Sequence, residues 1–300
     1  MGLTYLYDGS PEGFLSAVFV AFAEQRRDAE LAVQTSLQRR LGQVYQPVLT
    51  DPTKAARVQR GVRAKLGAKD MDWLRRVFCS DAPDKDTTAL HYLDYAFSHC
   101  PVGTHRPIFA TNQLQSVIPA PGCAQRTLPQ PGQDGWRDPH KPGLDIAAPV
   151  VARYLSLLRQ VNNEVEKARQ FIRFSELEGG LYYARFEPKA NVVPLVLPYF
   201  VARLNIQAFI IYDPRHDLAG LYDRHHWYLT PAKQAIGLPA QTLGEKQCAK
   251  LWRTFFKSVT IKQRLNPRCQ ANFMPLRFWK DLTELQPEAA LERPVISEGF

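Results

Sequence analysis

Residues 171–222 run FIRFSELEGGLYYARFEPKANVVPLVLPYFVARLNIQAFIIYDPRHDLAGLY, and this stretch decides the fold. Phe171-Ile172-Arg173-Phe174 mixes aromatic bodies with a single cation, as a half-buried strand does. Glu178-Gly179-Gly180 supplies residues that tolerate positive φ at a hairpin turn. Leu181 to Phe186 then returns as the partner strand. From Asn191 to Leu204 the apolar residues fall at 192, 193, 196, 197, 200, 201 and 204, which is helical spacing. Ala208 to Tyr212 is a β-branched and aromatic run. Ala219 to Tyr222 is its partner, with Pro214 and Asp217 marking the turn between them. Two hairpins joined by a helix predict an α+β fold with a mainly antiparallel sheet, the 191–204 helix on one face, and N-terminal and C-terminal helices around it.

The chain of 300 residues is 45% apolar and can fill a core. No apolar run reaches 18 residues, so no transmembrane helix is expected, and Met1 to Ser10 lacks a signal peptide's basic segment. A cytoplasmic protein without a membrane partner is the expectation. The five cysteines, at 79, 100, 123, 248 and 269, form no CxxC pair and read as reduced thiols. The formal net charge of +9 favours a polyanionic partner, either nucleic acid or an anionic membrane surface.

Outward from the central stretch, four regions separate. Residues 1–100 read as largely helical after a short strand at Leu3 to Tyr7. Ser10-Pro11 caps a first helix whose Phe14, Val18 and Phe22 share one face. Asp51-Pro52 caps a second, with Ala55, Val58, Val62 and Leu66 inward. Lys54, Arg57, Arg60, Arg63, Lys65 and Lys69 occupy its other surfaces, with no acidic residue between Pro52 and Lys69. Such like charges repel unless a polyanion neutralises them. Residues 101–149 hold nine prolines and five glycines and read as a surface excursion or linker. Its histidines and cysteines match no metal-ligand spacing, so no metal site is expected. Residues 150–284 form the α+β core with a basic end, and 285–300 a tail.

Within the core region, Val150 to Lys167 is a helix leading into the sheet. His225-His226 lie on an extended segment, where adjacent side chains point apart and chelate poorly. Thr242-Leu243-Gly244-Glu245 reads as a capping box. The helix it starts is expected to bury Cys248, Leu251, Trp252, Phe255, Phe256 and Val259. Nine cations and no acidic residue lie between Lys246 and Lys280. Lys250, Arg253 and Lys257 share a helix face; Lys262, Arg264, Arg268, Arg277 and Lys280 follow, with Phe273, Phe278 and Trp279 interleaved. Cations neutralise phosphates and aromatics stack on exposed bases, so this segment is the candidate nucleic-acid surface.

Three separated motifs carry a resemblance. They are Tyr5-Leu6-Tyr7-Asp8-Gly9-Ser10 with Glu12-Gly13-Phe14-Leu15; the central Phe171-Ile172-Arg173-Phe174, Tyr182-Tyr183-Ala184, Glu187-Pro188 and Ile210-Ile211-Tyr212-Asp213; and the closing LNPRCQANFMPLRFWKDL at 265–282. In this order they resemble a bacterial family of DNA-metabolism and DNA-repair proteins. The resemblance implies a DNA partner and a radical-SAM protein partner; some relatives are fused to a uracil-DNA glycosylase-like domain. Two departures stand out: relatives often carry His at the positions of Glu166 and Tyr199. Histidine suits acid–base work near neutral pH in a way that neither residue matches.

Two functions are therefore expected. The first is a DNA-binding repair or modification protein acting with a radical-SAM partner, with no cofactor of its own. The alternative is a nuclease or glycosylase-like enzyme using Glu187 and Asp213, with Glu176 and Asp223 as further carboxylates and Arg173, Arg215 and Tyr183 stabilising charge. Two or three convergent carboxylates would hold Mg²⁺. No Walker motif, dinucleotide fingerprint or nucleophile elbow is present in the sequence.

Overall fold

The computed structural model describes residues 2–35, 40–99, 147–232 and 238–286. Residues 101–146 of the expected excursion at 101–149 and residues 287–300 of the expected tail at 285–300 lie outside the described residues. The fold is α+β, and the chain divides into two compact units. One comprises residues 1–78 and 83–156, the other 79–82 and 157–300.

In the first unit, strand β1 (Gly2–Tyr7) is the middle of a three-stranded sheet between β2 (Glu30–Val33) and β3 (Gln43–Pro47), parallel to both. Helix α1 (Pro11–Ala23) starts where Ser10 Oγ accepts the Gly13 N–H, and it buries Phe14, Leu15 and Val18. Helices α2 (Pro52–Lys65), α3 (Ala68–Phe78) and α4 (Lys85–His99) follow. Strands β2 and β3 were not expected. They are short and mixed in polarity, so no period-2 pattern marks them; pairing to the buried β1 makes them strands.

Helix α5 (Pro149–Phe171) enters the second unit. The sheet there has the order β4-β5-β6-β7-β8, formed by Ser175–Leu177, Leu181–Arg185, Ala208–Asp213, Leu218–Tyr222 and Trp227–Pro231. The β5–β6 pairing is parallel and the other three are antiparallel, as two hairpins joined by a helix require. Gly179 (φ +87°) and Gly180 (φ +74°) make the β4–β5 turn in the left-handed region that other residues avoid.

The expected strand at Phe171–Phe174 is corrected. The helix runs on to Phe171, the Ile172 N–H still bonds the Ala168 carbonyl, and pairing begins only at Ser175. Tertiary packing decides this. Phe171 lies 5.7 Å from Phe278, and Phe174 sits 5.3 Å from both Phe200 and Phe209. Those residues are core plugs between helix and strand, not ladder positions.

Helix α6 (Val193–Arg203) lies on one face of the sheet. Val193, Val196, Leu197 and Phe200 pack with Phe209, Ile211 and Tyr222, and with Val161, Val165 and Ala168 of α5. Gly220 on β7 permits this approach: a Cβ there would sit 3.0–3.1 Å from the Val193 and Leu197 methyls. Alternate residues serve the other face, where Ile210 joins Leu177, Tyr183 and Ala219. No helix among the described residues is long and apolar enough to cross a membrane.

Candidate nucleic-acid interface

Helix α7 (Leu243–Val259) starts at Thr242, whose Oγ1 accepts the Glu245 N–H at 3.1 Å. The Thr242 N–H donates to the Glu176 carbonyl, so the cap is tied to β4 and the reciprocal half of a capping box is not made. The expected buried stripe is overturned. Leu251, Trp252, Phe255 and Val259 are 69%, 44%, 55% and 55% exposed, and Cys248 is exposed as well. The residues turned inward are Ala249 and Arg253. The apolar residues at 251, 252, 255 and 259 do share one side, but that side faces solvent.

Trp252 and Phe255 stack on each other with ring centroids 5.7 Å apart. The Trp252 Nε1 donates to Glu284, which also accepts from Arg173. Beyond α7 come a 3₁₀ turn at Lys262–Arg264 and the short helix α8 (Pro267–Phe273), capped by Asn266. Ile261, Leu265, Phe273 and Leu276 are at least half exposed along this path. Lys246, Lys250, Lys262, Arg264 and Arg268 are exposed and form no ion pair among the described residues. Lys257 is exposed on the same helix. Cations and apolar rings therefore alternate on one continuous surface segment.

Three of the expected phosphate-binding residues are placed otherwise. Arg253 is buried, and its Nε, Nη1 and Nη2 have no hydrogen-bond partner among the described residues. Arg277 Nη2 binds both oxygens of Glu164, at 2.7 and 2.8 Å. Lys280 Nζ binds Glu187 Oε2.

The polar groups of the sheet form two networks that no hydrogen bond or ion pair among the described residues joins directly. In the first, Glu187 accepts from Lys280 and Arg185, and Arg185 also binds Asp281 at 2.9 Å. The Lys280 hydrogen bond outweighs partial burial and lowers the Glu187 pKa. In the second, Asp213 ends β6 fully buried and accepts the N–H groups of Arg215 and His216. His216 Nδ1 lies 2.5 Å from Asp213 Oδ2, and its Nε2 lies 2.8 Å from Asp81 Oδ1. Arg215 Nε donates to the other Asp81 oxygen at 3.0 Å. Burial would lower the His216 pKa, but hydrogen bonds and charge from Asp213 and Asp81 raise it to about 9.

The remaining candidates lie elsewhere. Tyr183 is in the second core cluster, where burial pushes its phenol up to about 12. Arg173 Nη2 pairs with Glu284 at 3.1 Å. Asp223 holds the turn before β8, accepting from the His225 and His226 N–H groups and from the Tyr228 hydroxyl. Glu176 contributes its carbonyl to the α7 cap. No group of three or more His, Cys, Asp or Glu among the described residues has an arrangement suited to a metal ion.

His216 and Asp81 were not singled out from sequence. The signal for His216 is its position three residues after an aspartate in a turn, which sets the imidazole on that carboxylate. Asp81 is 135 residues away and carries no local signal. Glu166 and Tyr199, the two departures from the resembled family, meet on one side chain: Arg169 bonds Glu166 at 2.8 Å and lies 4.9 Å from the Tyr199 ring.

One family of proteins, described as a domain of unknown function, DUF4130, matches residues 126–284 of this chain. That span includes the five-stranded sheet, α6, α7 and the basic segment. No curated protein matches the chain.

Proposed function

The chain belongs to the DUF4130 family, and on that premise we propose that it is a DNA-binding protein of repair or modification that holds single-stranded DNA on α7 and the segment after it. The observation that carries this is the outward pair Trp252 and Phe255 beside Lys246, Lys250, Lys262, Arg264 and Arg268, which form no ion pair among the described residues. A solvated basic face alone would keep its rings inside. Exposed rings offer stacking platforms to unpaired bases, and the cations follow the backbone. Duplex DNA hides its base faces, so single strands are favoured. Work beside a radical-SAM partner in the cytoplasm is part of the proposal and rests on the sequence resemblance. The test is affinity for a labelled single strand against the same sequence as duplex. Single-strand preference that Phe255→Ala removes is expected; equal affinity for both forms, unchanged in Phe255→Ala, contradicts it.

A second function is favoured by one observation, the buried Asp213 bonded to His216 with Asp81 on the imidazole's far nitrogen. A carboxylate that orients an imidazole is a recurrent part of general acid–base sites, and a substrate would have to take the place of Asp81 on Nε2 for His216 to act. In a nuclease or glycosylase-like enzyme, Asp213→Asn would abolish turnover of DNA while leaving α7 binding intact. Unaltered turnover in that variant removes this site from consideration.

A further inference from the structure

A pocket of about 560 Å³ opens in the second unit, within the size range of small-molecule sites. Its wall includes Ser80, Asp81, Asn163, Lys167, Lys189 and Arg215. Three cations thus share one cavity, and two of them are fixed from behind. Asp81 takes only the Nε of Arg215, and Nη1 and Nη2 have no hydrogen-bond partner among the described residues. Asp81 is itself held by His216, and His216 by the fully buried Asp213. On the other wall Lys167 Nζ is held at 3.0 Å by Glu164, a buried carboxylate that also takes Arg277 and the Lys189 N–H. Lys189 is exposed, and its Nζ has no partner among the described residues.

The charges do not balance. Counted with the groups bonded behind them, the cations Arg215, Lys167, Lys189, Arg277 and protonated His216 stand against the carboxylates Asp81, Asp213 and Glu164, which leaves two positive charges in excess. The two pocket carboxylates are already turned onto their cations, which offset their repulsion of an entering anion. A guanidinium fixed at Nε presents its two remaining nitrogens as a planar fork that matches phosphate oxygens. A phosphate monoester near neutral pH carries up to two negative charges, the number the pocket lacks.

We propose that this pocket binds the phosphate group of a small phosphate monoester, with Arg215 Nη1 and Nη2, Lys189 Nζ and Lys167 Nζ as its donors. The buried Asp213 and Glu164 are positioning residues that hold the donors in place before the ligand arrives. This site is separate from the α7 surface and does not depend on DNA binding there.

The test is calorimetric titration of the full chain with deoxyadenosine monophosphate, and with deoxyadenosine as the unphosphorylated control. Both cationic side chains to be changed are exposed, so Lys189→Ala and Arg215→Gln leave the core intact. Saturable binding of the monophosphate, none of the nucleoside, and at least tenfold weaker binding in each variant are expected. A Lys250→Ala, Arg264→Ala variant on the α7 segment should bind the monophosphate as wild type does. Equal behaviour of monophosphate and nucleoside overturns the proposal. So does wild-type affinity in either pocket variant, or loss of binding in the α7 variant.

Discussion

Helices α2 and α7 look alike as sequences and differ as surfaces. Both start at a capped turn, both carry a run of cations, and both space their apolar residues for a helix face. On α2 the apolar face is inside, with Ala55 and Val62 buried. Several of its cations are absorbed within the same unit. Arg57 lies 5.5 Å from the Phe19 ring, Lys65 lies 5.2 Å from the Phe97 ring, and Lys54 approaches Asp51 at 4.0 Å. On α7 the apolar face is outside beside Lys246 and Lys250, which form no ion pair among the described residues, and the buried positions hold Ala249 and Arg253. Periodicity tells which residues share a face; it does not tell whether anything covers that face. A helix whose rings and cations both point outward presents a surface suited to a partner, and a helix that lays its cations on its own unit's rings stabilises the fold.

The comparison predicts unequal effects. The largest follows from replacing Lys246, Lys250, Lys262, Arg264 and Arg268 together by Ala, which should lower single-strand affinity by about 100-fold at low salt. Replacing Arg57, Arg60, Arg63 and Lys65 should cost far less affinity, and a titration of both variants separates the two helices. Next is stability. Val62→Ala on α2 should destabilise by about 1–3 kcal/mol in denaturant unfolding, because it removes fully buried methyls. Val259→Ala on α7 should stay within about 0.5 kcal/mol, since that side chain is 55% exposed. Equal losses would mean that α7 is covered in solution. Phe255→Ala should weaken single-strand binding by about 1–3 kcal/mol without moving the unfolding midpoint. Arg57→Ala should cost about 0.5–1 kcal/mol of stability through its contact with Phe19, less than Val62→Ala on the same helix.

Local signals carried much of the second unit. The Gly179-Gly180 turn, the β6–β7 hairpin, α6 and the Thr242 cap all follow from residues close in sequence, and all stand where expected. What was not legible depends on distant partners. Strands β2 and β3 exist because β1 lies between them. The segment Ile172 to Phe174 looks like a strand, yet its rings are claimed by Phe200 and Phe209. The pocket needs Asp81 beside His216, two residues that no local spacing connects. The exposure of Trp252 and Phe255 was hidden for a related reason. An apolar stripe facing a core and one facing a partner have the same period, and only the buried Arg253 on the opposite side reveals which is present.

Salt dependence of binding tests the central claim most directly. Each phosphate neutralised on a single strand contributes roughly −0.7 to the slope of log K against log salt. Lys246, Lys250, Lys262, Arg264 and Arg268, without an ion pair among the described residues, therefore predict a slope of about −3.5, and Arg264→Ala with Arg268→Ala should flatten it by about 1.4. A wild-type slope near zero, or a slope and affinity that the double variant leaves unchanged, would contradict the claim that this segment holds nucleic acid.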